Sequence, residues 1–260
     1  MLSLILSLTA FYFSVVAAVH LPSFDYSGQN QVKLTPDKKV LVQLGVMSRC
    51  PDALLCESVF NEVLDRVPDK VNLSLVYVAT DRITGPTYKI NSIDETEPDF
   101  GVWCMHGRQE CAGNVQQLCV NKYAPASNWW EFVKCQNYQG RENVGLPEVV
   151  FKCAKTADVD LLAGGAGRCI GLDGSGTAAE GVALLRESAR FGHQLGISCV
   201  FLYYSMRLWN SNRYHRKSCT VLISGRKVCV HDGNWKDCEG GHSVNDFVRQ
   251  IEEEYERLNG

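Results

Sequence analysis

The chain is 260 residues long, with 45% hydrophobic and 21% charged residues, the composition of a folded globular protein rather than a disordered one. Its formal net charge of -3 excludes a global basic field that would gather nucleic acid or an anionic membrane. Such a length can bury a sizeable core, as one domain with a large insertion.

Residues 1–18, MLSLILSLTAFYFSVVAA, are apolar, carry no charged side chain, and read as a signal peptide. Val16 and Ala18 stand at the small-residue positions that a signal peptidase prefers. An N-terminal anchor is the alternative, but the run is short for a membrane span. Export makes sense of twelve cysteines, at 50, 56, 104, 111, 119, 135, 153, 169, 199, 219, 229 and 238. An even, high count in an exported chain means a disulfide framework, whose pairing spacing alone does not settle. Asn72-Leu73-Ser74 is a glycosylation sequon and fits the same compartment.

Lys39 to Val46 (KVLVQLGV) is rich in β-branched residues and predicts a strand. Pro51 follows at the helix position that best tolerates proline, with Cys50 as the residue before it. Cys56, Phe60, Val63 and Val67 then recur on one helical face. Val71 to Ala79 alternates and predicts a second strand, which completes a βαβ unit with cysteine at the strand-to-helix turn.

The middle of the chain is helical in pattern. Cys111, Val115 and Leu118 share one stripe, and Ala178, Val182, Leu185 and Ala189 share another, with shorter candidates at Trp129–Cys135 and Pro147–Ala154. The glycine-rich stretch 164–176 follows no strand and lacks the Gly-Lys-Ser/Thr ending of a phosphate loop, so it reads as a plain loop. A basic run, Arg207 to Lys217, reads as a solvated loop face.

Residues 219–223 and 226–230, joined by Ser224-Gly225, predict a hairpin. The terminal helix opens with Ser243 as cap and Asp246 as its capping-box partner. The order βαβ, helices, ββα is that of an α/β, thioredoxin-like fold with a disulfide-rich α-helical insertion at about 101–195.

The most specific motif is Cys104 to Cys119, CMHGRQECAGNVQQLC, of the form C-x-H-G-x-x-E-C-x-x-N-x-x-x-x-C. It resembles the signature of the gamma-interferon-inducible lysosomal thiol reductase family, GILT, and the likeness extends to VNLSL, WWEFVKCQ and the stretch from Cys169 to Ala189. The resemblance implies a secreted or lysosomal thioredoxin-fold protein that reduces protein disulfides with a C-x-x-C pair after the first strand. A zinc site built from Cys104, His106, Cys111 and Cys119 is the competing reading of the motif. Disulfide stapling of the helical region is preferred, because exported cysteines oxidise. Cys111 and Cys119, on one helix, stand ~12 Å apart along its axis and must pair elsewhere.

Two departures from the family pattern fall at the reactive turn. Cys50 matches the first C-x-x-C position, where helix N–H groups favour a solvent-open, partly ionised thiol, but the second position is Ala53. Cys56 lies ~9 Å further along the axis, beyond the roughly 7 Å reach of a bridge to Cys50, and by default is a buried core residue. Ahead of TVLI, where thioredoxin folds place a cis-proline, stand Ser218 and Cys219; without proline a trans peptide is expected. Cys219 is therefore placed against Cys50, as its resolving partner or its disulfide partner, with a framework pairing as the alternative.

Cys229 and Cys238 read as a clasp around HDGNWKD, and His231 and Asp232 are set aside as acid–base candidates for want of a neighbouring nucleophile. Ser198 to Arg216 has no counterpart in the family pattern and reads as an insertion or a retained intron.

The functional expectation is a secreted or lysosomal/vacuolar thiol oxidoreductase, reducing protein disulfides through Cys50, with Cys219 or Cys56 releasing product. No metal, nucleotide or flavin is implied. Disulfide-bonded proteins are the expected partners, without nucleic acid or a stable membrane span. The alternative is a non-catalytic, disulfide-stabilised secreted glycoprotein on the same scaffold.

Overall fold

The computed structural model describes residues 37–81, 99–197 and 218–260. The predicted leader, the basic run and the whole 198–216 segment lie outside the described residues, Cys199 among them.

β1 (Val40–Val46) is the hub. It pairs in parallel with β2 (Val71–Tyr77) and antiparallel with β5 (Thr220–Ile223). β6 (Arg226–Asp232) and β7 (Asn234–Lys236) extend the sheet in the order β2-β1-β5-β6-β7. β1 is buried at every position but Leu41, as expected of a strand covered on both faces. β3 (Thr80–Asp81) and β4 (Val102–Trp103) form a separate two-stranded ladder.

α1 (Pro51–Arg66) starts where proline fixes the helical φ and buries Cys56, Phe60 and Val63 on one side. α7 (Val244–Asn259) packs beside it, the Phe60 and Phe247 rings 4.9 Å apart. Its N-terminus has the capping box expected of Ser243 and Asp246.

Between β4 and β5 run α2 (Arg108–Tyr123), α3 (Ala126–Tyr138), α4 (Pro147–Thr156), α5 (Ala166–Ile170) and α6 (Ala179–Gln194). α6 lies along β2, where Tyr77 N donates to Ser188 Oγ at 2.8 Å. Beyond its end, Ile197 packs on Gly45 of β1, where an added Cβ would stand 2.3 Å from the isoleucine side chain.

The glycine-rich stretch is not wholly loop, since α5 forms inside it. Gly167 permits the approach: a Cβ there would meet the Leu161 carbonyl at 2.1 Å. Cys169 on α5 is bonded to Cys119 on α2. Cys135 is bonded to Cys153, joining α3 to α4, and Cys229 to Cys238, closing β6 and β7.

Candidate active site at the start of α1

β1 delivers the chain to a tight turn in which Cys50 N donates to Met47 O at 2.9 Å. Cys50 is the N-cap of α1, with φ -80 and ψ 127, and its carbonyl accepts the helix's opening bond from Leu54 N at 3.1 Å. Among the described cysteines it alone is free.

Its environment differs from the sequence expectation. Cys50 is only 2% exposed, not open to solvent. Burial, foremost, pushes its thiol up from the ordinary value. The Ser218 hydroxyl and the backbone amides of Ala53 and Asp52 pull the other way, and the Asp52 charge adds to the rise. The helix N-terminus is present as expected, but desolvation outweighs it. Ser218 Oγ is itself buried without an aligned partner, leaving it to serve the Cys50 sulfur as thiolate.

Cys219 does not pair with Cys50. It is bonded to Cys56, with the Cα atoms 6.2 Å apart. The strand order explains this correction. β5 runs beside β1, under the inner stripe of α1 that Cys56 heads, so Cys219 enters the core directly below that stripe. Both residues are fully buried, and neither carries a free thiol. The Ser218–Cys219 peptide is cis, contrary to the expectation of trans. Tertiary partners hold this turn on both sides: the disulfide to α1, and His231 N donating to Cys219 O at 2.8 Å. Ala53, where the family pattern has its second cysteine, is fully buried.

The 104–119 motif braces the reactive turn. Cys104 is bonded to Cys111, so the four candidate zinc ligands are divided between two disulfides and His106. Gly107, at φ 86, supplies the left-handed residue before α2. His106 Nδ1 and Glu110 Oε2 form a short contact across the helix start. Asn114 Oδ1 accepts from Ser48 N at 3.0 Å, and Ser48 Oγ donates to Glu110 O at 3.2 Å. Gly113 leaves room for Ser48: a Cβ would lie 2.7 Å from its hydroxyl. Arg49 reaches the same region, donating to His106 O at 3.2 Å and to Glu142 Oε2 at 2.7 Å. Residues preceding Cys50 are thus held by the motif that the sequence singled out.

His231 reverses its sequence reading. Its Nδ1 lies 2.7 Å from Asp52 Oδ1, which also accepts from Gly233 N at 2.9 Å. The carboxylate can only accept, so Nδ1 carries the proton. Asp52 Oδ2 is 4.0 Å from Cys50 Sγ. A nucleophile does stand near His231, brought there by a pairing across 179 residues that no local spacing reveals. Asp232 instead pairs with Lys236 at 2.9 Å.

A five-stranded sheet packed with helices, with a thiol at the tip of the helix after its first strand, is the arrangement of a thioredoxin-like fold. The model of the family described as Gamma interferon inducible lysosomal thiol reductase (GILT) matches residues 41–157, a match that supports membership of that family. No curated protein matches the chain. Among solved structures it is similar to the MdbA protein, a thiol-disulfide oxidoreductase from Corynebacterium diphtheriae, with 11% identity over 84% of this chain and 86% of that one, at a TM-score of 0.49. It is also similar to oxidoreductase DsbA from Xylella fastidiosa, with 12% identity over 84% and 86% of the two chains, at a TM-score of 0.42.

Proposed function

We propose that this protein exchanges thiols with protein disulfides through Cys50 alone, in a secreted or lysosomal compartment. One observation carries the reading: the free thiol among the described cysteines sits at the N-terminus of α1, with the Ser218 hydroxyl and two helix amides ready to favour its thiolate. The family match over residues 41–157 supports the thiol chemistry. Five disulfides among the described residues, and a sequon asparagine exposed on β2, support an oxidising compartment.

Cys50 gives up its proton and attacks one sulfur of the substrate disulfide. The substrate S–S bond breaks, the departing sulfur takes a proton, and a mixed disulfide remains on Cys50. Resolution then falls to an external low-molecular-mass thiol, which attacks the mixed disulfide and returns Cys50 to its thiol form. Cys56 and Cys219 act as a strut in this scheme, since each is already bonded to the other. The reducing direction is set by the external thiol.

A second reading, a scaffold that has lost its chemistry, is favoured by the burial of Cys50 and by Ala53. One experiment separates the two. The full chain is incubated with a disulfide-bonded protein, with and without a small thiol, and adducts are read by mass spectrometry. The expected result is a mixed disulfide on Cys50 that clears when thiol is added and is absent in Cys50→Ser. Exchange that persists unchanged in Cys50→Ser overturns the assignment, and a wild-type chain that never forms the adduct establishes the scaffold.

A further inference from the structure

The Asp52 carboxylate is held on one side only. Its Oδ1 takes two donors, His231 Nδ1 at 2.7 Å and Gly233 N at 2.9 Å, while Oδ2 lies 4.0 Å from Cys50 Sγ with the thiol donating toward it. The side chains of His231 and Asp52 are 8% and 16% exposed, so this contact is largely screened from water. The donors come from the β6–β7 hairpin, which the Cys229–Cys238 disulfide closes. Trp235 packs edge-on against the His231 ring, at 4.9 Å, and fixes its plane. The neighbouring charges of the hairpin, Asp232 and Lys236, are paired with each other.

We infer that Asp52 is the proton acceptor for the Cys50 thiol, and that His231 with the Gly233 amide positions it. The inference rests on the exchange chemistry proposed above. As the Sγ–H bond breaks, the proton passes to Asp52 Oδ2 while the sulfur electron pair attacks the substrate disulfide. The substrate S–S bond breaks, and its departing thiolate recovers that proton from Asp52. No electrons are gained or lost overall. Proton transfer also removes the negative charge that otherwise opposes a thiolate beside it. Asp52 touches the reacting sulfur and is the catalytic group; His231 acts through Asp52 and is a positioning residue.

The test compares two reactions of Cys50 in the full chain, both followed by mass spectrometry. Alkylation by iodoacetamide expels iodide, which takes no proton. Mixed-disulfide formation with bis(2-hydroxyethyl) disulfide expels a basic thiolate, which does. Asp52→Asn is expected to lower the ratio of exchange to alkylation at least about tenfold, and to move the alkylation pH profile toward lower pH. His231→Gln is expected to lower the same ratio by roughly threefold, and Asp52→Glu to recover part of it. A ratio unchanged in both Asp52→Asn and His231→Gln, or an alkylation profile in Asp52→Asn that overlays the wild type, overturns the inference. Alkylation needs no turnover, so its profile decides the Asp52–Cys50 coupling even in a chain without exchange activity. Conversely, exchange that depends on Cys50 but not on Asp52 leaves the proposed function standing.

Discussion

Cys50 and Ala53 stand three residues apart, at the two positions that a dithiol site would fill. A dithiol site resolves its own mixed disulfide, whereas alanine at the second position leaves that step to solution thiols. Ala53→Cys should therefore restore the pair. Pre-reduced Ala53→Cys protein is expected to release reduced substrate stoichiometrically without added thiol, whereas pre-reduced wild type stops at the adduct; a single-turnover assay with a disulfide peptide reads the difference. The place of Cys50 on a helix tip was legible in a strand followed by Cys-Pro-Asp. Its burial was not, because Ser218 lies far along the chain and Asp52 is fixed by His231. An exposed N-cap thiol and a buried one share the same local sequence, and only the second has its thiol pushed up by desolvation.

Helices of the molecule with strong apolar stripes, α1, α6 and α7, were legible because a periodic face must find a core. The two-residue strands β3 and β4, and β7, were not, since so short a strand exists only through its partner. Disulfides act at the same scale. The Cys56–Cys219 bond links α1 to the entry of β5 across 163 residues. Replacing both cysteines by alanine should lower stability by about 2–5 kcal/mol in denaturant melts, and alkylation should still find Cys50 free in the folded variant. Should Cys50 lose its reactivity while the fold persists, the strut role assigned to that disulfide is wrong. On α2, Asn114→Ala strips the acceptor from the buried Ser48 amide. A cost of about 1–3 kcal/mol is expected, together with faster hydrogen exchange in the turn before Cys50.

Across the whole molecule, Glu57 couples the fold to pH. It is buried on α1, and burial pushes its carboxyl up from 4.5 to about 7, against the help of an Asn137 hydrogen bond. The folded state therefore holds a proton between about pH 4.5 and 7 that the unfolded state has released, so stability falls as pH rises through that window. The full effect is about 3 kcal/mol. Glu57→Gln should match wild type near pH 4 and exceed it above pH 7, as read by thermal melts; a difference that stays constant with pH would refute the role.

The longer strands and helices, the capping of α7, the family signature and the presence of a disulfide framework were all determined by local spacing and side-chain chemistry. Those properties act over a few residues, so one chain suffices to read them. The Cys56–Cys219 pairing, the cis peptide at Ser218–Cys219, the burial of Cys50 and the reach of His231 to Asp52 were decided only when β5 and β6 took their places beside β1. Each depends on groups far apart in the chain, and distance along a sequence carries no direction in space.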